Sequence, residues 1–376
     1  MSSSANHKIM RKVSVLLILT FATLRLAAQD CNCSTNFNAV VSQVKDNYAG
    51  YNDKITKKNN STFETFTKKL KTRATKTKSI DSCYILMRTW TNFFRDQHLR
   101  VQLDWSYRQQ FPEKIRALNK QFPKKVLPPA APDSLTNEAS LTQLDAETIL
   151  FRLPSFEWSE TQKIDSLATI VKKQFKETPY WIIDIRGNDG GTDYAFSNLL
   201  PFLYTNPISI MPDEYWSSKG NIEILKGNLK ANDLPADGKK FLNNVIKLME
   251  SNIGDFVNPS GKDKFITSLD SVYAYPKKIG ILIDRDSKSS AESFLLRAKQ
   301  SKKVTIFGEN SAGSLDYANT QFFNLPCKTF NLVIAISRSK RLPLNPIDNI
   351  GITPDIAIPN SIPNKVNLVL RELKIN

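Results

Sequence analysis

The sequence predicts an α/β fold. Two observations carry this. From Thr148 onward, short apolar runs of strand length alternate with stretches of helical periodicity, and a βαβα order implies a parallel sheet covered by helices. Two of these runs, Trp181 to Ile185 and Ile279 to Ile283, are apolar almost without interruption and end in polar turns, as strands buried on both faces do. The elements follow in order. Residues 34–97 read as helical, with apolar stripes at Val40, Val41 and Val44 and at Tyr84, Leu86, Trp90 and Phe94. Ser61-Thr-Phe-Glu64 fits a capping box. The alternation Leu99, Val101, Leu103 starts a strand, and 107–121 reads as a short helix. A proline-rich link follows (Pro123, Pro128, Pro129, Pro132). Then come a strand at Thr148 to Leu153, a helix marked by Ile164, Leu167, Ile170, Val171 and Phe175, a strand at 180–185 and a helix at 193–204. Residues 206–278 read as irregular with one helix near 239–252, too long for a plain connection and so a strap or lid. Strands at 279–283 and 303–307 flank a helix at 290–300. A hairpin from Phe322 to Ser337 and a closing helix at 364–374 complete the chain.

This gives four segments. Residues 1–28 read as a signal peptide: Lys8, Arg11 and Lys12 precede a twelve-residue apolar run, Val13 to Leu24, and Ala27-Ala28 suits cleavage. The run is short for a bilayer span. The expectation is an exported, periplasmic or extracellular protein with no stable membrane span after cleavage. Residues 29–98 form a helical region, 99–146 a short connecting segment, and 147–376 the α/β core with its strap. Removing 1–28 removes four basic residues and no acids, lowering the net charge from +16 to +12. Nine of the remaining Lys/Arg lie between Lys54 and Lys78. No aromatics interleave with them in a nucleic-acid pattern, so they read as a solvated helical face, with contact to a polyanion as the sharper alternative. Of the four cysteines, Cys31, Cys33, Cys83 and Cys327, the expectation is a disulfide from the N-terminus to the helix holding Cys83, with Cys327 a buried thiol.

The chemistry concentrates at the two strand ends. After the first, Arg186 to Gly191 is a glycine-paired turn able to aim backbone N–H groups at a developing negative charge. After the second, Asp284-Arg-Asp-Ser-Lys-Ser-Ser-Ala-Glu292 is a serine-rich turn entering a helix. A serine needs a base, and the chain has two histidines, of which His7 leaves with the signal peptide. His98 remains, at a helix-to-strand junction. There is no Gly-x-Ser-x-Gly elbow, phosphate loop, dinucleotide fingerprint or paired-histidine zinc motif, so no cofactor and no metal are called for.

Four motifs now stand in order: Asp184-Ile-Arg-Gly-Asn-Asp-Gly-Gly191, Ser287-Lys-Ser-Ser-Ala-Glu292, Phe307-Gly-Glu-Asn-Ser-Ala-Gly313 and Gly351-Ile-Thr-Pro-Asp355. Together they resemble the tail-specific, or C-terminal-processing, serine protease family, which also holds the tricorn core protease and the retinoid-binding repeats. The resemblance runs from His98 to Asp355. It implies a crotonase-like (ClpP-like) core, Ser289 as nucleophile, His98 as base, and an oxyanion hole from the backbone of Gly190 or Gly191 and of Ser290. One branch of the family carries a lysine after the Gly-Glu turn; this chain has Ser314 there, which points to the tricorn-like branch. The acid of that branch corresponds to Asp348, one methylene shorter than the usual glutamate; Asp348 also reads as a turn residue after Pro346. The segment between His98 and Thr148 is too short for a PDZ domain. Lys288 reads as a surface charge. The implied activity is that of a serine-type endopeptidase acting on peptide or protein substrates. The alternative is a non-catalytic binding protein for an apolar small molecule or peptide on the same scaffold. An adaptor using only the basic surface is a third.

Overall fold

The computed structural model describes residues 31–122, 136–230, 235–359 and 361–375. The expected signal peptide and the four prolines of the link lie outside the described residues. Helices α1 (Cys33–Asn47), α2 (Tyr51–Lys54), α3 (Asn60–Lys76) and α4 (Ile80–Thr91) open the chain, followed by β1 (Arg100–Leu103), α5 (Trp105–Gln110) and α6 (Pro112–Lys120). The next elements are β2 (Ser140–Asp145), β3 (Thr148–Arg152), α7 (Thr161–Gln174), β4 (Tyr180–Asp184), a 3-10 segment (Asp193–Leu199) and α8 (Leu200–Leu203). Residues 206–278 hold β5 (Ile208–Ile210), β6 (Asp213–Trp216), α9 (Lys219–Leu229), α10 (Ala236–Glu250), β7 (Phe256–Val257) and β8 (Phe265–Thr267). Then come β9 (Lys278–Ile283), α11 (Ser290–Ala298), β10 (Val304–Gly308), β11 (Tyr317–Asn324), β12 (Phe330–Ser339), β13 (Ile356–Ala357) and α12 (Lys365–Ile375).

The fold is mixed α/β with a helical N-terminal region. Six strands in the order β13-β10-β9-β4-β3-β2 form one sheet, parallel throughout except for the β2–β3 pair. Strands β4 and β9 sit at its centre, which explains their unbroken apolar runs: Trp181, Ile183, Ile279, Ile281 and Ile283 face a core shared with α7 and α11, while Ile182 and Leu282 face Val369 and Leu373 of α12. Gly280 makes that second contact close. A Cβ there would stand 2.5 Å from Val369 Cγ1, so only glycine lets α12 lie down on the sheet. Each of Val369 and Leu373, once buried, contributes about 1.5–3 kcal/mol.

A second sheet is antiparallel. β12 pairs with β1, β6 and β11, and β7 continues from β6. The N-terminal helices pack on it: Phe37, Val40, Val44, Phe63 and Trp90 share one core with Leu332, Ile334 and Ile336. The 206–278 insertion therefore differs from the irregular strap that its sequence suggested. Among its described residues it holds two helices and four short strands, and β6 and β7 are built into the second sheet. Short strands with few alternating positions leave little periodic signal.

Two local expectations are corrected. The helix expected to be capped at Ser61 begins earlier, at Asn60, with Asn59 before it; Asn59 Oδ1 accepts from Thr56 N–H and so organises the preceding turn. Cys327 is not a free thiol. It pairs with Cys31, while Cys33 pairs with Cys83 as the N-terminus-to-helix expectation had it. Helix α3 buries Phe63, Leu70 and Ala74 and exposes Lys68, Lys69, Lys71, Arg73 and Lys76, the solvated basic face that its spacing predicts. Among the described residues no helix is long and apolar enough to cross a membrane.

Candidate active site

The two polar turns meet because β4 and β9 are neighbours in one parallel sheet, so both chains leave it at the same edge. A net of hydrogen bonds then fixes their register. Asp284 Oδ1 accepts the N–H groups of Gly187, Asp286 and Ser287 at 2.9–3.1 Å. Ser287 Oγ donates to Ile185 O at 2.9 Å, and Lys288 N–H donates to Asn188 O at 3.0 Å. Beneath the first turn, Arg186 makes a two-pronged contact with Asp184, at 3.0 and 2.7 Å, and Arg152 donates to the carbonyls of Asp184 and Arg186. These charges are buried, and such pairs hold geometry more than they add stability.

Ser289 heads helix α11 with φ 57° and ψ −119°, a conformation that side-chain-bearing residues rarely adopt. Buried Glu292 holds it there. Its carboxylate accepts from Ser289 N–H at 3.2 Å, Ser314 N–H at 2.8 Å, Gly313 N–H at 2.7 Å and Ser311 Oγ at 2.6 Å. Burial pushes the Glu292 carboxyl above its ordinary value, with the four donors pulling the other way.

Gly190 faces the serine directly. A Cβ on Gly190, at φ 94°, would lie 2.7 Å from Ser289 Cβ and 2.9 Å from Lys288 O. Its N–H is already used, donating to Asn188 Oδ1 at 3.0 Å. Gly191 has φ 140°, and a Cβ there would lie 2.2 Å from Phe156 O. Among the described residues the N–H groups of Gly191 and Ser290 have no hydrogen-bond partner in the protein. Of the three residues named for an oxyanion hole, these two keep a free donor. Gly190→Ala should leave the fold in place, at about 1–3 kcal/mol of strain, yet lower turnover about 100-fold by displacing the serine. Comparing kcat with Tm for this variant checks it; a Tm loss with kcat per folded molecule intact would contradict it.

His98 and Ser289 line the same cleft, of about 840 Å³, together with Gly191 and Ser290. The 206–278 insertion supplies Met211, Phe241 and Phe265 to it. His98 Nδ1 lies 2.6 Å from Tyr317 O. A carbonyl only accepts, so Nδ1 carries the proton and Nε2 keeps its lone pair for a substrate or serine proton. Burial lowers the His98 pKa below the ordinary 6.5; Asp96 and the Tyr317 carbonyl oppose this, and Arg100 and Lys288 add to it. The imidazole is therefore neutral, and able to act as a base, at neutral pH.

Asp348 does not touch the imidazole. Its Oδ1 accepts the N–H groups of Leu315 and Asp316 at 3.0 and 2.9 Å, and Lys54 Nζ stands 3.8 Å from Oδ2. The orienting acid expected from the sequence is a turn carboxylate here, and the ring is held by a backbone carbonyl instead. Lys288 stands 3.8 Å from Asp189. Ser314 Oγ is buried. Sequence reading missed Tyr317, gave Asp96, Asn188 and Asp284 no role beyond membership of a motif, and used Glu292 only as a motif marker. Its donors come from two turns, the serine-rich one at Ser289 and the stretch from Ser311 to Ser314.

The model of peptidase family S41 matches residues 148–358, which leaves His98 ahead of the matched stretch. Among solved structures, mature CPAF complexed with lactacystin is similar at 13% identity and TM-score 0.60, over 92% of this chain and 98% of that one. A putative peptidase from Parabacteroides merdae ATCC 43184 is similar at 14% identity and TM-score 0.57, over 91% and 98%. A lipoprotein from Streptococcus agalactiae follows at 13% identity and TM-score 0.52, over 94% and 99%. At such identities the likeness is one of fold. No curated protein matches the chain.

Proposed function

The chain belongs to peptidase family S41, and from that premise we propose that it is an exported serine-type endopeptidase in which Ser289 is the nucleophile and His98 the base. Ser289 Oγ attacks the carbonyl carbon of a peptide bond and its proton passes to His98 Nε2. The N–H groups of Gly191 and Ser290 receive the oxyanion, where donors fixed in advance act most strongly. His98 then returns the proton to the leaving amine, and water hydrolyses the acyl-enzyme by the same steps in reverse. The observation that carries this reading is the strained backbone of Ser289 between two free N–H groups, in a cleft shared with a histidine whose tautomer is fixed. The five parallel strands of the larger sheet support a crotonase-like core. Two disulfides support export, since such bonds persist in oxidising compartments.

A fluorophosphonate probe tests the proposal. It should label the wild-type chain and spare Ser289→Ala, and unfolded protein substrates should be cleaved only by the former. Peptide binding with neither labelling nor cleavage would overturn it in favour of the non-catalytic binding protein.

A further inference from the structure

We propose that Asp96, and not Asp348, is the carboxylate that positions His98 and serves as its counter-charge during proton transfer. This rests on the peptidase reading above, and it goes beyond it by replacing the acid that the sequence pattern suggests.

The geometry is specific. Asp96 is buried, and each of its oxygens has one donor: Oδ1 accepts the His98 backbone N–H at 2.7 Å, and Oδ2 accepts Tyr48 Oη–H at 2.6 Å. The histidine is thus held at two points, its backbone by Asp96 and its ring by Tyr317 O. Both anchors are themselves anchored. The Tyr48 and Tyr317 rings lie 5.6 Å apart, and Tyr317 Oη donates to Asp53 Oδ2 at 3.1 Å, which in turn accepts from Arg338.

A carbonyl can orient an imidazole but carries no net charge. The imidazolium formed when Ser289 is deprotonated needs an anion close by in a site of low dielectric. Of the charged groups that act on His98, Asp96 favours the protonated ring, and Arg100 and Lys288 oppose it. Asp348 is poorly suited to that task. Burial first, then the charge of Asp96, push its carboxyl above the ordinary range and so disfavour its charged form, while the Asp316 N–H and Lys54 pull the other way. Its Oδ1 is also committed to two backbone donors. Asp96 acts through the backbone and the field, so it is a positioning residue and not a catalytic one.

The test is a titration of His98, the one histidine that remains once 1–28 are removed, by NMR of the ¹⁵N-histidine-labelled mature chain, alongside peptide-hydrolysis kinetics. Asp96→Asn retains an oxygen for the His98 N–H but removes the charge. The expected result is a lower His98 pKa and an acid limb of the kcat/KM profile displaced to lower pH by the same amount. kcat should fall about tenfold to a hundredfold at unchanged KM. Asp348→Asn should leave the His98 pKa where it was. Tyr48→Phe removes a donor from Asp96 and leaves its charge, so it should not lower the pKa. The proposal is overturned if Asp96→Asn leaves the His98 pKa unmoved, if Asp348→Asn lowers it as much, or if Tyr48→Phe reproduces the Asp96→Asn shift. Should the wild-type chain hydrolyse no peptide, the peptidase reading fails, and the titration still decides the coupling of Asp96 to His98.

Discussion

Ser289→Ala is expected to lower peptide hydrolysis by roughly 10⁴- to 10⁶-fold, as loss of a serine nucleophile does, with little change in stability. The side chain is half-buried and alanine inherits the same backbone geometry, so ΔΔG should stay within about 0.5 kcal/mol. Ser289→Gly should be equally inactive but more stable than Ser289→Ala by about 1 kcal/mol, because glycine tolerates φ 57° without strain. Three nearby serines make the experiment discriminating. Ser287 is buried and its hydroxyl is spent on Ile185 O, so Ser287→Ala should cost stability before it costs chemistry. Ser290 and Ser314 are buried. Activity that survives Ser289→Ala and vanishes with Ser290→Ala would place the nucleophile one residue later.

His98→Ala should lower turnover by at least about 10³-fold, the scale of a lost general base in a serine triad. The wild-type pH profile carries the sharper information. Protonation of the base inactivates it, so kcat/KM rises with pH through the base pKa and then levels off. Burial lowers that pKa, so the midpoint should fall below the ordinary histidine value of 6.5. A rise centred in the alkaline range would instead implicate a lysine, and Lys288 beside Asp189 would be the first to test.

How much of this was legible in the sequence depends on which atoms do the work. Ser289, His98 and the Gly190–Gly191 turn are recognisable because their roles require particular side chains, or the lack of one, in contiguous stretches. β4 and β9 were legible because a strand covered on both faces has no polar interruptions. β2 was not, because at the sheet edge its residues range from half-buried to exposed and its alternation is weak. The partner of the His98 ring was invisible for a deeper reason. It is a backbone carbonyl 219 residues away, and every residue has one. Asp348 illustrates the converse. Its place was read from a pattern, and in the fold its Oδ1 accepts the N–H groups of Leu315 and Asp316. A pattern fixes where an acid stands in the chain; the hydrogen bonds it accepts decide what it faces.

The Cys31–Cys327 bond, with a sequence separation of 296, also sets a timetable. A ribosome adding about 5–20 residues per second needs roughly 15–60 s to bring the second cysteine into being after the first. Cys33 meets Cys83 much sooner, across a separation of 50. Throughout that interval Cys31 has only wrong partners, Cys33 two residues away and Cys83. The first helices likewise wait for the β11–β12 hairpin that completes their core. Oxidation that begins early therefore traps Cys31 in a loop it must later leave, and thiol–disulfide exchange, at rates set by the attacking thiolate, becomes part of the route to the native chain. The yield of correctly joined protein should depend on when oxidant is supplied: late oxidation of the full-length reduced chain favours the native pairs, and early oxidation favours their rivals.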